Sequence, residues 1–289
     1  VLIEWDGYAG VEVDCYSAGF NRKVQLLLHF AAGKVAEATV LKAMLEHTFR
    51  YRSGQLWEFM DSVVEPGLER RVDRAAAKTG ATEELVGFVR VHVEKLRRLI
   101  AAHEGTVYPE MLKNKLLRYY FDALRAHYDA RLISHAQVFL QAVKEVVKRE
   151  FTLTYFYRTE EIIEEVRGLG GGIVIPHPEQ FWPILLADYD VDGIEVWNPQ
   201  SREYTEFLIH CVTAQNRSGR NGRRGLLIFM GDDTHFGEKV LEPGDQDGEK
   251  AGRELGVQAA WDDVAIRKSL IVAKADRSAL IEEYRRRLD

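Results

Sequence analysis

The segment LLIFMGDDTH, residues 226–235, joins a short apolar run to a polar turn. An apolar run of this length is typical of a strand that is buried on both faces. The turn places Asp233 and His235 directly after that strand, and ligands in parallel α/β proteins gather at the carboxyl ends of strands. Because carboxylate and imidazole groups bind zinc, manganese and iron, the segment predicts a metal-binding turn with a catalytic role.

Two earlier segments have the same organisation. In GGIVIPHP, residues 171–178, an apolar strand leads into His177, whose position is stiffened by a proline on either side. The next strand is GIEVWN, residues 193–198, and helical patterns separate the three strands. This alternation predicts parallel strands joined by crossover helices.

The beginning of the chain adds two further strand candidates, Gly10–Val13 and Val24–Phe30. Glu12 lies at the carboxyl end of the first, and His29 closes the apolar run of the second. Both side chains are metal-ligand types, so we expect them to join His177, Asp233 and His235 at one end of the sheet.

The middle of the chain is helical in pattern. Apolar residues recur at three- and four-residue steps over Glu83–Ala102, and Thr82 precedes this stretch as an N-cap. Further helices are predicted over Leu56–Ala77, Pro109–Asp129 and Ile133–Arg149. We therefore expect a first barrel part at 1–34, a helical insertion at 35–150, a second barrel part at 151–242 and a C-terminal helical tail at 243–289.

Composition narrows the class of protein. The formal net charge of −6 and the pI of about 5.9 exclude a polycation that coats nucleic acid. Cys15 and Cys211 have no CxxC spacing, so neither a zinc ribbon nor a disulfide framework is supported. No apolar run approaches the ~20 residues that span a bilayer. We expect no membrane partner and a cytoplasmic location.

Five short motifs, taken in order, resemble those of the PHP (polymerase and histidinol phosphatase) superfamily, in particular its members with a helical insertion. That family shows a Gly-Ile-Glu strand, a His-ending strand, an Ala-His-Pro turn, a Gly-Ile-Glu-Val strand and a Gly-Ser-Asp-Ala-His turn. The corresponding segments here are Gly10–Val13, Leu26–Phe30, Ile173–Pro178, Gly193–Asn198 and Gly231–His235. The resemblance implies an α/β fold built on a distorted (β/α)7 barrel with a large all-α insertion.

The resemblance also implies roles for the candidate ligands. Glu12 would bridge two metals, His29 and His177 would complete one site, Asp233 would serve the second and His235 the third. The complete protein would hold two or three divalent ions of manganese, zinc or iron. The family's His-x-His pair should lie before Glu12 and is absent from this chain. We therefore expect an N-terminally incomplete barrel, with the remainder on a missing segment or a partner chain.

Other residues are assigned by the same reasoning. Arg50 and Arg52 begin the insertion, and Arg220 belongs to a loop with four arginines over residues 217–224. The planar guanidinium suits phosphate, although a solvated turn remains the alternative for the loop. His92, on an apolar helix stripe, is predicted to be core. If the family pattern holds, Glu195 faces away from the ligands, towards solvent or the basic loop.

The predicted function is a metal-dependent phosphoesterase, a phosphatase or nuclease that uses a metal-activated water. Its substrate would be a phosphorylated small molecule or a short single-stranded nucleic acid. Two alternatives stay open. One is a catalytically reduced PHP domain that serves as a binding or scaffold module. The other is an amidohydrolase-like barrel acting on C–N bonds, which expects a strand-ending lysine that this chain lacks.

Overall fold

A computed structural model describes residues 2–103, 105–107, 112–219 and 223–289, without the side chains of residues 52, 53 and 154. The chain divides into two compact units. The first combines Val1–Ala43 with Phe156–Asp289, and the second is Met44–Tyr155. The predicted insertion spans 35–150.

The described residues form six strands and eleven α-helices. The strands are β1 (Ile3–Trp5), β2 (Tyr8–Ser17), β3 (Arg22–Ala31), β4 (Gly172–Ile175), β5 (Gly193–Trp197) and β6 (Leu227–Met230). The helices are α1 (Thr39–Val64), α2 (Glu69–Thr79), α3 (Glu83–Ala102), α4 (Lys115–Ala123), α5 (Ala130–Glu150), α6 (Thr159–Gly168), α7 (Thr205–Ser218), α8 (Phe236–Lys239), α9 (Gly248–Ala251), α10 (Arg267–Ala273) and α11 (Arg277–Leu288).

The first unit is built on one six-stranded sheet in the order β1-β2-β3-β4-β5-β6. Strands β4, β5 and β6 are parallel, as their alternation with helices predicts. The strands β1 to β4 are antiparallel neighbours, which a regular βα alternation does not predict. The mixed α/β class is therefore confirmed, while the closed seven-stranded barrel stays a prediction.

The β2–β3 hairpin is regular from the pair Tyr8↔Ala31 to the pair Ser17↔Arg22. Its alternating residues Val13, Leu26 and Leu28 are almost fully buried. Period-two alternation lets a strand bury one face. Alternation in Gly10–Val13 predicted the first of these strands, and the apolar run Val24–Phe30 predicted the second. Helix α6 packs on β2 and β4, and α11 packs on β3 and β4.

The second unit has its own helical core, centred on Leu56, Met60, Phe121 and Phe139. Helix α3 has the predicted bounds, and its Thr82 caps the helix by accepting from the Leu85 N–H. The predicted continuous helix Leu56–Ala77 is wrong, because α1 ends at Val64 and α2 begins only at Glu69. Pro66 lies between them and disfavours helical backbone in the residue before it.

Aromatic rings bring the two ends of the second unit together. His47 stacks on Tyr155 with ring centroids 4.7 Å apart, and Tyr51 stacks on the same ring at 4.1 Å. The Tyr51 hydroxyl also donates to the Thr152 carbonyl oxygen at 2.7 Å. His92 is buried among Phe88 and neighbouring rings, as its prediction as core requires.

No helix in the described part of the chain combines the length and apolarity needed to cross a bilayer.

Candidate functional site at the carboxyl ends of the parallel strands

The carboxyl ends of β4, β5 and β6 meet at one edge of the sheet, because the three strands are parallel. His177 follows β4 and Asp233 follows β6, and both have left-handed backbone, with φ of 30° and 48°. Such backbone costs about 1–3 kcal/mol in a residue with a side chain, and it persists only where the surroundings hold it. The two strained residues follow the strands that flank β5.

Glu195 on β5 is almost fully buried between them. The Asn198 amide donates to its Oε1 at 2.7 Å, and the backbone N–H of His177 also bonds to this carboxyl. At Gly231 an added Cβ would lie 2.5 Å from Glu195 Oε2, so the carboxyl has room only beside a glycine. The expectation that Glu195 faces solvent is wrong, because residues 193–196 of β5 are buried on both faces.

Three carboxyl groups interact here. Burial raises the pKa of Glu195 to about 8, and the charges of Glu179 and Asp233 add to the rise, against the hydrogen bond from Asn198. Asn198 also donates to Glu179 Oε1, at 3.5 Å. The other oxygen, Glu179 Oε2, is buried and has no hydrogen-bond partner among the described residues. At neutral pH the Glu195 carboxyl therefore holds a proton unless a cation replaces it.

Asp233 is held by two donors. Gln200 donates to its Oδ2 at 2.7 Å, and Arg253 forms an ion pair with the same oxygen. Arg253 also donates to the Asp233 backbone carbonyl, at 3.2 Å. His235 Nδ1 lies 2.7 Å from that carbonyl oxygen. A carbonyl oxygen only accepts, so Nδ1 is the donor in this contact and Nε2 is the ring nitrogen left without a part in it.

We call these residues together the carboxyl-edge site. It consists of His177, Glu179, Glu195, Asn198, Asp233, His235 and Arg253. Of the five predicted ligands, His177, Asp233 and His235 lie at this edge, and their roles as ligands stay predictions.

The predicted convergence is wrong for His29. It pairs with Gly172, the first residue of β4, and so lies at the opposite end of that strand from His177. The reason is strand direction: β3 runs antiparallel to β4, so its carboxyl end meets the amino end of its neighbour. Loss of solvent around the His29 ring lowers its pKa to about 4.

Glu12 does not end a strand either, because β2 continues to Ser17. Its side chain is exposed and accepts a hydrogen bond from Gln25 on β3. Glu12 pairs with Leu27, which in turn pairs with Val174 of β4. The placement of Glu12 at a strand end is therefore wrong, and a metal role for it stays a prediction.

None of the predicted phosphate-binding arginines is placed at the carboxyl-edge site by the described residues. Arg50 is on α1 within the second unit, where it forms an exposed ion pair with Glu46. The Arg52 side chain and all of Arg220 lie outside the described residues. From the same loop, Arg223 pairs with Asp188 at 2.7 Å. The substrate roles of Arg50, Arg52 and Arg220 stay predictions.

Four residues of the site were not predicted from the sequence, and one of them, Glu195, had been expected to face away from the ligands. Glu179 follows the His177 turn, Asn198 follows β5, and both positions after strand ends are a usable signal. Arg253 has no such signal, because it lies in the predicted C-terminal tail, 20 residues after Asp233. Only the fold brings its guanidinium to the carboxyl-edge site.

The donor types at this edge suit a divalent cation. Carboxylate oxygens with an unpartnered, buried Glu179 Oε2 are the kind of group that a hard cation satisfies. In their present positions, however, no three or more His, Cys, Asp or Glu side chains within the described ranges have the arrangement to hold an ion. The residues fit a metal in kind, and its coordination geometry is not defined by them.

Comparisons with known proteins give a weak likeness to solved structures. No family model matches this chain, and no curated protein matches it. A similar solved structure is a protein of Bifidobacterium adolescentis described as a "putative metal-dependent phosphoesterase". The two share 18% identity over 91% of this chain and 75% of that chain, with a TM-score of 0.37. A likeness of this size assigns neither fold nor function.

Proposed function

We propose that this chain belongs to a metal-dependent phosphoesterase that cleaves a phosphoester of a nucleotide or a short single-stranded oligonucleotide with a metal-activated water. The observation that carries the proposal is the meeting of Glu179, Glu195 and Asp233 at the carboxyl ends of three parallel strands. The ordered motifs that resemble the PHP superfamily support the choice of phosphoester chemistry. Two of those motifs end at His177 and at Asp233 with His235.

Glu179, Glu195 and Asp233 would hold the cation, with His177 and His235 beside them. A divalent cation supplies a water of lowered pKa and compensates charge on the phosphate oxygens. Asn198 fixes Oε1 of Glu195 and so orients that carboxyl. His235 is oriented by its contact with the Asp233 carbonyl, which leaves Nε2 as the ring atom able to accept a proton.

The test uses the full chain with manganese or zinc, a nucleotide phosphomonoester and a short single-stranded oligonucleotide. Bound metal is measured on the same samples. We expect metal-dependent hydrolysis that Glu195→Gln and Asp233→Ala each reduce by at least about a hundredfold, because an anionic metal ligand is removed. Asp188→Asn is the control, since it removes an exposed carboxylate paired with Arg223 in the same unit. Wild-type rates in Asp233→Ala would rule out its role.

A second candidate is a catalytically reduced domain that serves as a binding or scaffold module. It is favoured by the engagement of Asp233 with Arg253 and by the position of His29 at the other end of β4. On this reading the folded chain takes up neither manganese nor zinc and hydrolyses neither substrate. Uptake of metal with the affinity of an enzyme site would exclude it.

A further inference from the structure

Helices α4 and α5 of the second unit pack against each other and carry four cations on neighbouring positions. Lys115 and Arg118 are three residues apart on α4, and Lys144 and Lys148 are four residues apart on α5. Residues at these spacings lie on the same side of a helix. We call these four side chains the basic patch. Lys144 is half-buried and the other three are exposed.

The four charges of the basic patch act on one another. The pKa of Lys144 is lowered first by burial and then by the positive charges of Lys148, Arg118 and Lys115. No carboxylate among the described residues counters these charges at Lys144. Like charges that are held close together oppose each other, and an anion bound between them removes that repulsion.

The carboxylates of the two helices are engaged with other cations. Each of the three acidic residues on α4 and α5 forms an ion pair outside the basic patch: Asp122 with Arg125, Glu145 with Lys78 and Glu150 with Arg71. None of the four cations of the patch has an ion pair within the described ranges. The patch is therefore a local excess of positive charge on a chain whose formal net charge is −6.

Arg118 adds a flat, aromatic surface to the basic patch. Its guanidinium carbon lies 5.4 Å from the centroid of the half-buried Tyr119 ring. Unpaired bases stack on guanidinium planes and aromatic rings, whereas lysine ammonium groups bind the phosphate backbone. A membrane-binding helix would need exposed apolar residues to insert, but Leu117 and Phe121 of α4 are buried in the core of the second unit. The chemistry of the patch favours single-stranded nucleic acid.

We propose that the basic patch binds the phosphate backbone of single-stranded nucleic acid, and that the Arg118 guanidinium stacks on a base. Four positive charges need several phosphates to neutralise them, so the patch takes a chain of nucleotides in preference to a mononucleotide. It lies in the second unit, whereas the carboxyl-edge site belongs to the first. The proposal does not depend on metal binding or on hydrolysis.

The experiment measures fluorescence anisotropy of a short labelled oligothymidylate with the full chain, in chelator and over a series of salt concentrations. Four phosphate contacts on a single strand predict a slope of log K against log[salt] of about −2.8, because each contributes about −0.7. The double variant Lys144→Gln/Lys148→Gln should weaken binding at least about tenfold and make the slope shallower by about 1.4.

The matched control is Arg70→Gln/Arg74→Gln, which removes two charges four residues apart from exposed positions on α2. It should keep the affinity and the salt slope of wild type. Arg118→Lys keeps the charge and loses the planar group, so it should weaken binding severalfold without changing the slope. Lys148 is exposed, so Lys148→Gln alone, with a slope change of about 0.7, tests the patch if the double variant does not fold.

Failure of wild type to bind the oligonucleotide at low salt would overturn the proposal, and so would equal losses in the two double variants. Unchanged affinity in Arg118→Lys would indicate a polyphosphate ligand without stacked bases. Binding to phosphatidylserine vesicles but not to the oligonucleotide would indicate a membrane surface. Either result would overturn the assignment to nucleic acid. Because the assay contains chelator, its outcome is independent of whether the carboxyl-edge site hydrolyses a phosphoester with a metal.

Discussion

His29 Nδ1 lies 2.8 Å from the hydroxyl of Tyr284, a residue 255 positions later in the chain. The two rings meet edge to face with centroids 5.6 Å apart. Tyr284 belongs to α11, and its ring also packs against Phe229 of β6. The C-terminal helix thus covers the sheet at the amino end of β4, which is why His29 is only partly exposed to solvent.

This contact makes stability depend on pH. The pKa of His29 is lowered from 6.5 to about 4, so between these pH values the unfolded chain binds a proton that the folded chain does not bind. The stability is fully present above pH 6.5 and is lost as pH falls towards 4, by up to about 3 kcal/mol. Urea unfolding of wild type and His29→Gln at pH 7 and pH 4.5 measures it. Equal losses in both proteins would contradict the assignment to His29.

Gly172 should resist substitution because of the same helix. An added Cβ would lie 2.3 Å from the Tyr284 hydroxyl and 2.8 Å from Leu288. Gly172→Ala is therefore expected to cost about 1–3 kcal/mol through displacement of α11. Gly168→Ala is the matched control, because an added Cβ there meets nothing within 4 Å. Thermal unfolding compares the two, and equal midpoints would show that α11 does not pack as described.

Gly231 gives a corresponding test of the carboxyl-edge site. A Cβ at this position would lie 2.5 Å from Glu195 Oε2 and would push the carboxyl out of place. Gly231→Ala should weaken manganese binding by about tenfold or more, since a ligand displaced by even 1 Å loses much of its effect. An added Cβ at Gly237 meets nothing within 4 Å, so Gly237→Ala should bind manganese with the affinity of wild type. Unchanged affinity in Gly231→Ala would remove Glu195 from the ligand set.

Glu195 should make the metal-free protein less stable at high pH. Its folded pKa of about 8 is above the ordinary 4.5, so its stability is fully present below pH 4.5 and is lost as pH rises through 8. Gln cannot ionise, so Glu195→Gln should exceed wild type in stability by up to about 4 kcal/mol at pH 8 in chelator. Manganese should stabilise wild type more than the variant. Chemical unfolding with and without manganese measures both effects. A variant that is less stable than wild type at pH 8 in chelator would contradict the burial of an ionised Glu195 carboxyl.

The spacing of apolar residues along the chain was enough to predict most of the helices and strands. The apolar run in Val24–Phe30 and the three- and four-residue steps in Glu83–Ala102 are local signals, and they correspond to β3 and α3. Strand direction is not a local signal, which is why His29 was expected at the wrong edge. A local pattern also does not show which residues from other segments contact a site. The ion pair of Arg253 with Asp233 could not be predicted for this reason. The Glu195 prediction followed the family pattern, and it failed because Asn198 and Gly231 give the carboxyl a buried place.

The stacked rings at the two ends of the second unit also bear on how the chain folds. Strand β3 ends at Ala31 and its partner β4 begins at Gly172, so their pairing closes a very long loop. Loop closure costs conformational entropy that grows with the length of flexible chain. Residues 44–155 form a compact core of their own, and the contacts of His47 and Tyr51 with Tyr155 join the ends of that core. If the helical unit forms first, only a few short connections remain flexible between β3 and β4. The two strands should then pair faster than their separation in sequence alone would allow.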